Sequence, residues 1–153
     1  MTALLLALVT SGAALEMGSV VSVPPHVGVV LGASDTPGVA LFLPWVLKIT
    51  SEDEGVFRPQ QLVIEPGVVF RAETSFTARV AVRWLRAPLT WLSLGGGMGM
   101  GLEAGKAVRG VSSLELVARL GPGPTGFGML TARVELRMDG TAVWMLAAGA
   151  TYW

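Results

Sequence analysis

Residues 130–138 read Leu130-Thr131-Ala132-Arg133-Val134-Glu135-Leu136-Arg137-Met138. Every even position is apolar, and the odd positions are Thr131, Arg133, Glu135 and Arg137. Side chains alternate faces along a strand, so the stretch has one apolar wall and one charged wall. Asp139-Gly140 follows directly, a two-residue hairpin signal that turns the chain into another extended run.

The same alternation recurs outward from this point. It marks eight extended segments: 17–31, 39–50, 60–72, 76–86, 89–104, 111–120, 127–138 and 141–153. Turn chemistry separates them, including Ser34-Asp35-Thr36-Pro37-Gly38, Ala87-Pro88 and Gly121-Pro122-Gly123-Pro124. The short links make neighbouring segments antiparallel. In the fourth segment Phe76, Ala78, Val80, Val82 and Trp84 share a face, opposed by Thr77, Arg79, Ala81, Arg83 and Leu85. In the sixth, Leu114, Leu116, Ala118 and Leu120 oppose Ser113, Glu115, Val117 and Arg119. In the third, Leu62, Ile64, Val68 and Phe70 oppose Gln61, Glu65, Arg71 and Glu73. The fifth sets Leu92, Leu94, Met98, Met100 and Leu102 against Ser93, Gly95, Gly97, Gly99, Gly101 and Glu103. Glycines along one wall leave room for bulky groups from across a narrow barrel. The second segment carries Phe42 and Val46 on its nominal polar face, and the first fits the alternation poorly. The predicted fold is all-β, a closed antiparallel up-and-down barrel of about eight strands.

Composition narrows the function. The 153 residues fit one domain; 52% are hydrophobic and 14% charged, with 20 Gly and 9 Pro. Ordinary soluble domains carry roughly 25% charged residues. Mean hydropathy is +0.60. The formal net charge is zero, which gives no basic surplus for nucleic acid. The absence of cysteine removes disulfides, thiol catalysis and thiolate metal sites. One histidine, His26, cannot supply a multi-imidazole site and reads as an ordinary turn residue beside Pro24-Pro25. No metal or cofactor is expected. Glu103, Glu115 and Glu135 are surrounded by Arg, which suits ion pairing better than acid–base work. The run Ser51-Glu52-Asp53-Glu54 lacks the spacing of a calcium loop. The expectation is a protein with no catalytic activity.

The charged wall of the central segments is the candidate site: Arg79, Arg83, Glu103, Glu115, Arg119, Arg133, Glu135 and Arg137. It holds five Arg, three Glu and no Lys; Lys48 and Lys106 are the chain's only lysines. Arg is better suited than Lys to buried pairing. Two arrangements accommodate this wall. Charges inward and apolar residues outward make a membrane barrel with an Arg/Glu-filled lumen. The reverse makes a soluble lipocalin-like barrel around an apolar ligand.

At the ends of the chain, residues 1–14, MTALLLALVTSGAA, run from an apolar core to small residues, as a signal peptide does, leaving 15–153 as the barrel domain. No Lys or Arg precedes the apolar run. The last segment closes on Ala150-Thr151-Tyr152-Trp153. With this leader, the eight alternating segments and the glycine-rich fifth segment, the chain resembles the small outer-membrane β-barrel proteins of Gram-negative bacteria. The resemblance covers nearly all of 15–153 as a pattern, without a diagnostic motif. It implies an outer-membrane location, a lipid bilayer around the wall, and recognition of the terminal aromatic, here Trp153, by the barrel-assembly machinery. Thr151, Gly149 and Ala147 are less apolar than that family's pattern. The alternatives are a periplasmic or secreted soluble barrel, and an outer-membrane lipid-modifying enzyme.

Overall fold

The structure, a computed structural model, describes residues 21–22, 26–32, 36–48, 61–121 and 128–150. Among these, every regular element is a strand: β1 (Val21–Ser22), β2 (His26–Gly32), β3 (Gly38–Phe42), β4 (Trp45–Lys48), β5 (Gln61–Phe70), β6 (Thr74–Leu89), β7 (Leu92–Ala104), β8 (Val108–Leu120), β9 (Gly128–Arg137) and β10 (Ala142–Gly149). Each stave pairs antiparallel with the next, and β10 returns to pair with β2, so the sheet closes into an up-and-down barrel. There are eight staves, because β3 and β4 both pair with β5 in one continuous register. The two-residue β1 adds a short ladder to β4.

Pro44 causes the break between β3 and β4. It has no N–H to give the ladder. Leu43 keeps the stave in line by donating to the carbonyl of Pro66 at 2.9 Å. A second proline acts differently from the sequence expectation. Ala87-Pro88 does not turn the chain; β6 runs through it to Leu89, and the turn falls at 90–91. The β6–β7 register shifts between Arg86 and Leu89, the kind of irregularity at which a strand tolerates proline. The hairpin after β9 also differs. Arg137 and Thr141 close it, with Arg137 N–H donating to Thr141 O and Gly140 N–H to Arg137 O, both at 2.9 Å. The loop is therefore Met138-Asp139-Gly140. Gly140 alone in it has a positive φ, of 83°, whereas a two-residue type I′ turn needs two such residues.

Register fixes the shape of the wall. From Ala118 the paired residues run through Leu130, Ala148, Val27, Leu41, Val68, Phe76 and Ala104 to Val108. One circuit thus returns to β8 ten residues from its start. A stagger of ten over eight strands, at about 3.3 Å per residue and about 4.8 Å between strands, gives a tilt of roughly 40° and a radius of roughly 8 Å. A lumen that narrow is filled by side chains.

One end of the barrel carries the turns at 71–73, 105–107 and 138–141, and is here called the short-turn end. The lumen is two-sided. From β2, β3, β5 and β10 come Val30, Ala40, Phe42, Val69, Val143, Met145 and Ala147, one buried apolar cluster. Phe42 and Val46 thus belong to apolar lumen packing, which explains their place on the nominal polar face. Leu85, Val117 and Met129 form another cluster inside the wall. The lumen positions of β5–β9 supply the charges. His26 is not a turn residue: it begins β2, pairs with Gly149 and Phe42, and is buried.

Candidate functional site

The odd-numbered positions of β5 to β9 point into the barrel, and their charges meet at mid-height. Five come together: Glu65 on β5, Arg79 and Arg83 on β6, Glu115 on β8 and Arg133 on β9. Glu115 accepts from Arg79 Nη2 at 2.8 Å and from Arg83 Nε at 2.5 Å, and lies 3.5 Å from Arg133 Nε. Glu65 lies 2.6 Å from Arg133 Nη2, 3.3 Å from Arg79 Nε and 3.9 Å from Arg83 Nη2. Each carboxylate therefore touches all three guanidinium groups. Glu135, 3.4 Å from Arg133 Nη1, brings the set to three cations and three anions. Arg79 also donates to Ser113 Oγ at 3.0 Å, and the Arg133 guanidinium lies 5.0 Å from the Phe42 ring centroid. All six charged residues are at most 6% exposed. Uncompensated charges at such burial would cost several kcal/mol each. Equal numbers and shared forks remove that penalty without demanding that the network add net stability.

The glycine-rich strand β7 makes room for this cluster. Gly97 on β7 pairs with Arg83 and Glu115 on either side. A Cβ there would sit 2.6 Å from Glu115 Oε1 and 3.0 Å from Arg83 Cγ. Long side chains from β6 and β8 thus occupy the space above the glycine wall.

The remaining members of the charged wall lie elsewhere. Arg137 binds Glu103 in a two-pronged contact near the short-turn end, Nε to Oε2 at 2.8 Å and Nη2 to Oε1 at 3.2 Å. Ser75 Oγ adds a third bond to Glu103 at 2.9 Å. Arg119 stands toward the opposite end and donates to Ser93 Oγ at 3.0 Å. Trp153 and residues 1–14 lie outside the described residues. Glu65 is the central residue that collecting the charged wall from the later strands leaves out. Its signal was available: it stands on the polar face of the third segment, two residues from Val63 and just before Pro66-Gly67.

The outer wall is apolar. Leu114, Leu116, Leu136, Leu146 and Leu102 are each more than half exposed. Val80 is exposed and Val134 half-buried. Val82 departs from the expected exposure: on the outward parity, between Leu62 and Met98 across the two ladders, it is buried. Outward aromatics fall into two groups. Phe70, Phe76 and Trp144 lie near the short-turn end; Trp45, Trp84 and Trp91 lie toward the other. Phe76 and Trp84 are eight residues apart on β6. With the rise and tilt above, that separates the groups by roughly 20 Å along the axis.

No family model, curated protein or solved structure matches the chain.

Proposed function

We propose that this protein is an integral membrane β-barrel of the small outer-membrane type, without catalytic activity, acting as a structural or interaction component. The observation that carries the proposal is the orientation of the wall. Leucines and valines are exposed around its outside, while Arg79, Arg83, Glu115, Arg133 and Glu135 are buried within. Charges inside and aliphatics outside suit hydrocarbon as the surrounding medium. The two aromatic groups support the same reading, since membrane barrels flank an apolar band about 25 Å tall with aromatic girdles. A soluble lipocalin-like barrel would need the opposite orientation, with an apolar interior free for its ligand. Here the mid-lumen space holds the ion network and Phe42. The network occupies the mid-lumen, as the side chains of a narrow eight-stranded barrel normally do, which favours a structural role over a conducting one. His26 gives a lipid-modifying reaction little support: it lies against Gly149 inside the wall.

The test is refolding from urea into phosphatidylcholine vesicles, followed by a carbonate wash. The expected result is a protein that stays with the vesicles and resists protease across its strands. A monodisperse protein that folds in buffer without detergent and washes free of vesicles would refute the proposal and favour the soluble barrel.

A further inference from the structure

We propose that the short-turn mouth of the barrel binds a phosphate monoester. A cavity of about 320 Å³ opens there between the 71–73 and 105–107 turns. Its lining includes four cations, Arg71, Lys106, Arg109 and Arg137, against two carboxylates, Glu73 and Glu103. Counting Asp139, which pairs with Arg109 at the edge of the lining, the described charges here are four positive and three negative. A phosphate monoester carries about −1.5 to −2 at neutral pH and presents three strong acceptor oxygens to these donors.

The cations divide into a floor and a rim. Arg137, gripped by Glu103 and buried, forms the floor with Ser75. Lys106 and Arg109 form the rim. Lys106 pairs with Glu73, and Arg109 Nη1 lies 3.1 Å from Asp139, which is just outside the lining. Both rim pairs are open to water, with side chains 39–81% exposed. Exposed pairs of this kind contribute little to stability, so an entering anion competes with their carboxylates at small cost. A guanidinium has five donors in a planar fork, so Arg109 can hold Asp139 on one edge and a phosphate on another. The volume is at the small end for ligand sites, which admits a phosphorylated small molecule or one lipid headgroup. Thr36 adds a hydroxyl to the lining.

This site does not depend on what surrounds the outer wall, and its test separates the two. The full chain, folded in zwitterionic detergent or in buffer, is titrated with inorganic phosphate by calorimetry. A second arm measures binding to phosphatidylcholine vesicles with and without phosphatidic acid, the lipid that ends in a phosphate monoester. The comparison is between the wild type, the Lys106→Ala/Arg109→Ala double variant, and Arg86→Ala, an exposed residue toward the opposite end. Losing two charge-assisted contacts should weaken binding at least about tenfold in the double variant. Arg86→Ala should bind like wild type. Phosphate binding that follows this order supports a soluble phosphorylated ligand; binding seen only with phosphatidic acid, in the same order, supports a headgroup. Binding in neither arm, or equal loss in Arg86→Ala, overturns the proposal. If the double variant does not fold by circular dichroism, Lys106→Gln alone should still show a loss of several-fold, and wild-type affinity there also overturns it.

Discussion

Replacing Glu115 by Gln removes the charge on which the lumen network turns. Glu115 touches Arg79, Arg83 and Arg133 at 2.8, 2.5 and 3.5 Å. The replacement leaves three guanidinium groups facing only Glu65 and Glu135, a net positive charge in a lumen where every member is nearly inaccessible. Breaking a buried pair in this way costs about 3–5 kcal/mol. The Gln amide oxygen keeps one acceptor for the Arg forks, so the expected loss is near the lower bound, about 3 kcal/mol. Glu135→Gln serves as the internal comparison: Glu135 meets Arg133 at 3.4 Å, a longer contact than those Glu115 makes with Arg79 and Arg83, so its loss should be smaller. Arg79→Met in the Glu115→Gln background removes the stranded cation and should return part of the stability. A double-mutant cycle on the two sites should give a coupling within about 0.5–3 kcal/mol. The assay is urea unfolding of the folded barrel, followed by tryptophan fluorescence. A Glu115→Gln loss within about 0.5 kcal/mol, the size of a surface substitution, would refute the buried network.

Further outcomes follow from other parts of the barrel. Leu114→Arg, at an outward position 62% exposed, should cost roughly 2–4 kcal/mol in a bilayer and within about 0.5 kcal/mol on a wall that meets water; vesicle-folded unfolding titrations distinguish these. Gly97→Ala should destabilise by about 1–3 kcal/mol through overpacking, because its methyl would press on Glu115 and Arg83; a wild-type urea midpoint would contradict the packing. Thr141 hydrogen bonds hold the Asp139 carboxyl below its ordinary value, at 2.6 Å from the hydroxyl and 3.0 Å from the amide. A lowered folded value means that this turn's support is full above the unfolded Asp range and is lost as pH falls through the folded value. The protection factor of the Thr141 amide should therefore fall only on the acid side of the ordinary Asp range, and a fall in protection between that range and neutral pH would count against it. Finally, protein from its native host should have an intact mass lacking residues 1–14; a mass that retains Met1 would contradict the signal peptide.

Much of the barrel is legible because side-chain direction in a strand is local. Period-two alternation needs only neighbouring residues, and it separates Arg133 and Glu135 from Val134 and Leu136 before any partner strand is known. It places six of the later staves within a few residues of β5–β10, and it sets the glycine wall of β7 opposite its leucines and methionines. Local pattern fails where a residue's meaning comes from a partner. Pro88 reads as a turn but lies in β6, because a register irregularity absorbs it. His26 reads as a turn residue but lies in the β2–β10 seam, since the first and last staves meet only on closure.

The alternation by itself determined that this chain makes two-faced strands, and which residues share each face. Only closure decided which face turns inward and which charges meet. Arg79 and Glu115 are 36 positions apart in the chain yet bond at 2.8 Å. Glu65 reaches Arg133 at 2.6 Å from a strand that the wall's other members do not share. The stagger of the staves sets which residues stand at one height, and a stagger is a property of the whole circuit. No segment carries it alone, so neither the central place of Glu65 nor the separation of Arg119 from the network is written in any one strand.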